Sequence, residues 1–129
     1  MTKDLEKVLH VEDEPDIRAI AKMSLEKIGQ LTVESYASGQ DALERIADFA
    51  PDLVLLDAMM PDMDGPEVLK RLRARDDTMN IPIVFMTAKV QSAEIAGYKA
   101  LGALDVIVKP FDPLQLHQQL KDIWARTDG

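Results

Sequence analysis

The hydrophobic positions of the chain alternate between short continuous runs and longer stretches with a helical repeat. Residues 8–11 and 53–56 are almost entirely apolar, as expected of strands that are covered on both faces. Further short runs lie at 32–36, 81–86 and 104–108. Between the runs, apolar residues recur every three or four positions, which predicts amphipathic helices. Five strands alternating with five helices indicate an α/β domain, with a parallel sheet between two layers of helices.

Local signals predict the start and end of the first helix and the start of the second. Pro15 suits the first turn of the first helix, and Gly29 suits its end. Ser38, with Asp41 three residues later, favours a cap at the start of the second helix. The residues expected on the inward face of the first helix are Ile17, Ile20, Ala21, Ser24, Leu25 and Ile28.

Composition narrows the classes of function. The 129 residues are 47% hydrophobic, include no cysteine and carry a formal net charge of −8. The missing cysteine excludes disulfide frameworks, thiolate metal sites and cysteine nucleophiles. The acidic balance argues against nucleic acid and anionic membranes as partners. Since no targeting signal and no apolar span of ~20 residues is visible, we expect a cytoplasmic protein. We expect residues 1–129 to form one domain, with no effector domain.

Polar side chains stand where the predicted strands end, which is the sheet edge where ligands bind in this class of fold. Glu12 and Asp13 follow the first strand, and Asp57 follows the third. Thr87 ends the fourth strand, and Lys109 follows the last. Carboxylates from two strands repel each other, and Mg2+, which prefers oxygen ligands, relieves that repulsion. With an ammonium and a hydroxyl beside them, they predict a pocket for an aspartyl phosphate.

Each of these residues has a plainer explanation when it is taken alone. A single aspartate at a strand end is usually a helix cap or a solvated turn, and the acidic triplet 12–14 would usually face solvent. A Lys-Pro dipeptide commonly forms a turn. The joint placement of these residues at the ends of separate strands favours the functional interpretation.

The chain resembles a response-regulator receiver domain, the phosphoacceptor module of two-component signalling, over essentially its whole length. The resemblance rests on VLHVEDEP at 8–15, DAMMPDMDG at 57–65, TA at 87–88 and KPF at 109–111. It implies a flavodoxin-like, doubly wound sheet of five parallel strands in the order 2-1-3-4-5.

The same resemblance implies the acceptor and its cofactor. Asp57 would take a phosphoryl group from a phosphohistidine on a histidine kinase or a histidine phosphotransfer protein. Asp13 and Asp57 would bind Mg2+ together with the backbone carbonyl of Met59. Glu12 would bind the ion directly or through water.

The resemblance further implies a regulator rather than an enzyme, with only slow Mg2+-dependent self-phosphorylation and dephosphorylation. Thr87, the backbone N–H of Ala88 and Lys109 would surround the phosphoryl group. Gly65 would permit backbone conformations in the neighbouring loop that a Cβ resists.

The signal output departs from the family pattern at one position. The family often has Tyr or Phe three residues before the lysine, and this chain has Val106. Output would use the surface of the fourth helix, fifth strand and fifth helix, including Ile95, Tyr98 and Val106, or the loop at 88–90. The domain would control an unknown protein target, as a monomer or as a phosphorylation-dependent dimer.

Three other functions deserve comparison. A Mg2+-dependent phosphatase with an aspartyl nucleophile would need an acid or base where Met59 stands, and a cap domain to enclose its substrate. A flavodoxin-like carrier of FMN would need a phosphate loop after the first strand, where residues 12–14 repel phosphate. A receiver that binds partners without phosphorylation stays open because of Val106, although the intact acceptor set argues against it.

Overall fold

The computed structural model describes residues 3–88 and 91–127. Five parallel strands form one sheet in the order β2-β1-β3-β4-β5, which confirms the predicted topology. The strands are Lys7–Val11 (β1), Thr32–Tyr36 (β2), Leu53–Asp57 (β3), Ile83–Thr87 (β4) and Asp105–Val108 (β5). The helices are Pro15–Met23 (α1), Gly39–Phe49 (α2), Gly65–Arg73 (α3), Ser92–Ala100 (α4) and Leu116–Ala125 (α5). A π-helical turn, Ser24–Ile28, continues α1.

Two apolar layers cover the faces of the sheet. One joins the sheet to α2 and α3 and includes Ile46, Leu72 and Phe85. The other joins the sheet to α1 and α5 and includes Leu25 and Leu120. Because β3 and β4 lie between both layers, all five residues of each strand are buried. The ends of these two strands are therefore fixed from both sides.

The helix starts follow the sequence signals. Pro15 occupies the first turn of α1. The Ser38 side chain caps α2 by accepting a hydrogen bond from the backbone N–H of Asp41 at 3.1 Å. In the same way, the Asp64 carboxylate accepts from the backbone N–H of Glu67 at 3.0 Å and caps α3.

The predicted inward face of α1 is wrong at two positions. Ala21, Ser24 and Leu25 are buried, but Ile20 and Ile28 are 41% and 40% exposed. A π-helical turn holds more residues than an α-helical turn, so a period of 3.6 misplaces Ile28. Ile20 borders an open groove beside the carboxyl edge of the sheet.

The helix α4 differs from the other four in having no buried residue. Its nine residues begin after Gln91, whose side chain makes no capping hydrogen bond. In the part of the chain that the structure describes, no helix combines the length and apolar character needed to cross a membrane.

Candidate functional site

Three carboxylates meet at the carboxyl edge of the sheet. The strands β1 and β3 are neighbours in register, with Val11 opposite Leu56, so the residues that follow come together. Oxygen atoms of Glu12, Asp13 and Asp57 lie within 4.8 Å of one another. Glu12 and Asp57 are only 0% and 4% exposed, whereas Asp13 is half-buried. Two buried carboxylates at this distance repel each other unless positive charge compensates them.

Lys109 supplies the positive charge that the structure places inside this cluster. Its Nζ lies 2.7 Å from Oε1 of Glu12 and 3.3 Å from Oδ2 of Asp57. Burial opposes the charge on the ammonium, but the two carboxylates outweigh it and raise the pKa of Lys109. One ammonium beside three carboxylates leaves the cluster with an excess of negative charge.

Burial dominates the titration of Glu12. It raises the pKa of Glu12 to about 7, against the opposing hydrogen bond from Lys109 and with further support from the nearby Asp57 carboxylate. The backbone N–H of Glu14 donates to Oε2 of Glu12 at 3.2 Å. Glu12 is thus a carboxylate held in place by the protein at considerable electrostatic cost.

The turn after β3 fixes the Asp57 side chain and backbone. The backbone N–H of Met59 donates to Oδ1 of Asp57 at 3.1 Å. The N–H of Ala58 donates to the carbonyl of Met86 at 3.0 Å, which ties the turn to β4. The Met59 side chain itself is 56% exposed.

Gly65 is required for a reason other than the predicted one. Among the described glycines, only Gly102 has a φ in the left-handed region, and in the acceptor loop it is Asp62 that adopts one, at 67°. A Cβ on Gly65 would lie 2.7 Å from the Asp57 carbonyl oxygen and 2.8 Å from Cα of Ala58. The glycine therefore permits close approach of two backbone segments rather than an unusual φ.

The predicted phosphate-binding residues lie on the next strands. Thr87 is buried at the end of β4, and its carbonyl accepts from the N–H of Lys109 at 2.9 Å. The register places Asp57 opposite Met86, one residue before Thr87. Ala88 is exposed. The Lys109–Pro110 peptide bond is cis.

Two residues beside the acidic cluster make contacts that the motifs alone do not predict. Arg18 donates through Nη1 to the carbonyls of Glu12 and Asp13, at 2.9 and 3.4 Å, and so fixes the acidic turn. His10 is 1% exposed, with Nδ1 3.4 Å from the Ser35 hydroxyl. Burial, helped by the charges of Lys109 and Arg18, lowers the pKa of His10 to about 3, so the ring is neutral. Sequence position alone gives no indication of either contact.

An apolar groove of about 290 Å3 opens beside the site, between α1 and the segment after β5. Ala88 and Lys109 line the groove, and Lys109 also contacts the acidic cluster. The remaining lining is Ile17, Ile20, Pro110, Phe111 and Pro113. The buried Ser24 hydroxyl donates to the carbonyl of Pro113 and joins the two walls.

The predicted output residues lie on two neighbouring elements, α4 and the edge strand β5. Ile95 and Tyr98 are half-buried on α4, and Val106 is half-buried on β5. Val106 stands opposite Phe85 in the register of β4 and β5. In the alternative output loop, 88–90, Ala88 is exposed, and Lys89 and Val90 lie outside the described residues.

The comparisons with known proteins agree with one another. The family model described as the response regulator receiver domain matches residues 8–121. The phosphate regulon transcriptional regulatory protein PhoB of Pseudomonas aeruginosa is 38% identical over 120 residues, which is 93% of this chain and 52% of the relative. The chain thus spans about half the length of the curated relatives it matches.

Solved structures have the same fold. The chemotaxis response regulator CheY4 of Vibrio cholerae superposes with a TM-score of 0.85 at 31% identity, covering 92% of this chain and 98% of that one. The signal receiver domain of a signal transduction histidine kinase from Syntrophus aciditrophicus gives 0.79 at 28% identity, covering 95% and 92%.

Proposed function

The chain belongs to the response regulator receiver family, and we propose that Asp57 is the phosphoacceptor of a two-component or phosphorelay switch. The observation that carries this proposal is the Asp57 carboxylate itself. It is buried at a strand end, bound by the Met59 N–H at 3.1 Å and paired with Lys109 at 3.3 Å. A carboxylate held in this way is aligned as a nucleophile, and the ammonium is placed to stabilise charge that develops on a phosphoryl group.

The proposed step is a transfer between two side chains. An Asp57 oxygen attacks the phosphorus of a phosphohistidine, the O–P bond forms, and the P–N bond breaks. The electron pair of that bond returns to the imidazole, which takes up a proton. Lys109 holds the Asp57 carboxylate and then a phosphoryl oxygen, while the Thr87 hydroxyl and the Ala88 N–H bind the remaining oxygens.

The acidic cluster suits a divalent cation. Three carboxylates have oxygens within 4.8 Å of one another, and a single ammonium compensates them. Oxygen donors of this kind are those that Mg2+ prefers. Glu12, Asp13 and Asp57 would hold the ion with the carbonyl of Met59. When bound, Mg2+ would neutralise negative charge on the phosphoryl oxygens.

The phosphodonor in this proposal is a histidine kinase or a histidine phosphotransfer protein. Such a donor must bring its phosphohistidine to Asp57 and exclude water from the contact. The apolar groove is the nearest surface that fits this need, because Lys109 belongs both to the groove and to the site. The proposed place of action is the cytoplasm, where the chain would act as a regulator rather than as an enzyme.

Output in this proposal passes through α4, β5 and α5 to an unidentified protein, in a monomer or in a dimer formed on phosphorylation. Nucleic acid and membranes have no direct part in it, although relatives of about twice the length are named as transcriptional regulators. Two of the basic side chains of α3 have partners in this domain: Arg71 pairs with Glu67 at 2.9 Å, and Arg73 donates to the carbonyl of Ile81.

The proposal is tested by intact-protein mass after incubation with acetyl phosphate and Mg2+. Wild type should gain one phosphoryl group, and Asp57→Asn should gain none because it lacks the nucleophile. The matched control is Asp62→Asn in the same loop, where the left-handed φ of 67° suits asparagine as well as aspartate.

Two outcomes distinguish a phosphoacceptor from a domain that only binds partners. A phosphoryl adduct that needs Mg2+, persists in Asp62→Asn and disappears in Asp57→Asn would support the assignment. If wild type remains unmodified with acetyl phosphate and also with a phosphorylated histidine phosphotransfer protein, the fold serves as a binding surface and the acceptor role is wrong.

A further inference from the structure

The helix α4 is attached to the core through one aromatic side chain. None of its nine residues is buried. Of its two half-buried apolar side chains, Tyr98 packs against the core cluster between the sheet and α2–α3, and Ile95 is not among the residues of that contact. Among the side-chain contacts of the described residues, α4 also has an ion pair between Lys99 and Asp105 at 3.6 Å, with the Lys99 side chain 51% exposed. The position of α4 therefore depends chiefly on what the Tyr98 ring touches.

The Tyr98 ring lies against Phe85 of β4. The two ring centroids are 4.9 Å apart and the planes are inclined by 48°, within the range of favourable aromatic pairs. Val106 stands opposite Phe85 on β5 and packs against the same cluster. A small side chain on β5 and a large one on α4 thus share the surface beside Phe85.

Phe85 also reaches the turn that follows the acceptor, residues 57–65. A Cβ on Gly65 would meet both Cε1 of Phe85 and the carbonyl oxygen of Asp57 at 2.7 Å. The Phe85 ring, the first residue of α3 and the backbone of the acceptor are therefore packed without free space between them. Close-packed groups of this kind transmit a displacement instead of absorbing it.

We propose that Tyr98 is the positioning residue that couples the acceptor turn to the surface of α4, through the Phe85 ring and in place of an aromatic residue at 106. The inference rests on the proposed function, because it assigns the path by which loading of Asp57 reaches the output surface. A shift of the Asp57–Gly65 turn moves Phe85, Phe85 displaces the Tyr98 ring, and α4 follows because little else holds it.

The test compares hydrogen–deuterium exchange of α4 amides, residues 92–100, with and without the phosphoryl mimic beryllofluoride and Mg2+. Loading is verified separately in every protein by the 19F signal of bound fluoride. The variants are Tyr98→Ala, which removes the ring, and Tyr98→Phe, which retains it. Ile95→Ala is the matched control, because it truncates a half-buried side chain of the same helix that does not contact the core cluster.

In wild type, Tyr98→Phe and Ile95→Ala, we expect loading to change α4 exchange. In Tyr98→Ala the mimic should still bind, but α4 exchange should be the same in both states. The double variant Tyr98→Ala/Val106→Tyr, which returns a ring to the surface beside Phe85, should regain part of the response. Tyr98→Leu replaces Tyr98→Ala if circular dichroism shows that the alanine variant is not folded.

Three results would overturn the inference. They are a wild-type response in a folded Tyr98→Ala protein, an absence of any α4 response in loaded wild type, and an equal loss in Ile95→Ala. Failure of wild type to bind the mimic at all would instead count against the proposed acceptor function, and the fluorine signal distinguishes the two cases.

Discussion

The end of β3 and the helix α4 are built in opposite ways. All five residues of β3 are buried, and the strand ends in a carboxylate that is fixed by a backbone N–H and by an ammonium. In contrast, α4 has no buried residue, and its contact with the core depends on one ring. The end of β3 fixes charged atoms at a high electrostatic cost, whereas few contacts fix the position of α4.

This contrast separates two requirements of a chemical switch. Transfer of a phosphoryl group needs atoms aligned within a fraction of an ångström, which a strand covered on both faces can supply. A change of surface needs an element whose displacement costs little, and elements with few buried apolar contacts are the first to move. Placing the two requirements in different elements allows each to be met without weakening the other.

The largest expected effects on stability come from replacing one glycine by alanine in each region. Gly65→Ala places a Cβ 2.7 Å from the Asp57 carbonyl oxygen and 2.7 Å from Phe85. Because one of these neighbours is backbone, the turn must shift, and we expect a loss of about 1–3 kcal/mol in the free energy of unfolding. Urea denaturation monitored by circular dichroism measures it.

The matched variant in the loose region should have the opposite sign. A Cβ on Gly97, in the middle of α4, meets no atom within 4 Å. Alanine there removes the conformational cost of a helical glycine, so we expect Gly97→Ala to raise stability by about 0.5–1 kcal/mol. Equal effects of the two substitutions would contradict the contrast between the regions.

A second prediction uses the pH dependence of the unfolding free energy to test the burial of His10 beside the site. The pKa of His10 is lowered to about 3 in the folded protein, whereas it is about 6.5 in an unfolded chain. The unfolded state therefore binds more protons, and the stabilising contribution of the neutral ring, complete above pH 6.5, is lost progressively as the pH falls towards 3. At pH 5 the loss should be about 2 kcal/mol relative to pH 8, since each pKa unit is worth about 1.4 kcal/mol.

His10→Leu isolates this contribution. The raised pKa of Glu12 acts in the opposite direction in the same pH range, and it is present in both proteins. The unfolding free energy at pH 8 minus that at pH 5, taken with its sign, should therefore be more positive in wild type than in His10→Leu by about 2 kcal/mol. Equal differences would mean that the folded protein accepts a proton on His10 as readily as the unfolded chain does.

The parallel sheet and the members of the acidic cluster could be predicted from the pattern of residues, whereas the strand order came from the resemblance to the receiver family. The continuous apolar run at 53–56 favours a strand covered on both faces. Once the strands are parallel, residues that follow them share one edge, so Glu12 and Asp57 are brought together by topology alone. Their distances and the pairing with Lys109 needed the structure, because they depend on side-chain packing.

The features that the sequence did not predict depend on contacts between distant segments or on an irregular helical turn. The resemblance predicts that Gly65 provides conformational freedom, but the glycine instead leaves room for the Asp57 carbonyl. No local sequence pattern indicates this close approach. The exposure of Ile28 follows from a π-helical turn, which a repeat of 3.6 residues cannot anticipate. The contact of Tyr98 with Phe85 joins a weakly amphipathic helix to a buried strand, and hydrophobic periodicity carries little information there.

The smallest effect should come from Asp105, whose carboxylate joins β5 both to α4 and to the end of α5. Oδ2 of Asp105 lies 2.8 Å from Nη2 of Arg126, and Oδ1 lies 3.6 Å from Nζ of Lys99. The Arg126 and Lys99 side chains are more than half exposed, so Asp105→Asn should lower global stability by only about 0.5 kcal/mol. The asparagine oxygen still accepts from the N–H of Val106, as Oδ1 of Asp105 does at 2.7 Å.

The informative readout for Asp105→Asn is local. If Tyr98 and the Lys99–Asp105 ion pair hold α4, its amides should exchange faster in the variant while those of β3 do not change. A concentration of 0.5 M NaCl should remove most of the difference by screening. The control is Asp122→Asn on α5, whose exposed carboxylate accepts a hydrogen bond from Gln118 and should leave α4 exchange unaltered. Faster exchange in β3 as well would show that α4 opens only with the whole domain, which would remove the distinction between a fixed site and a loosely held surface.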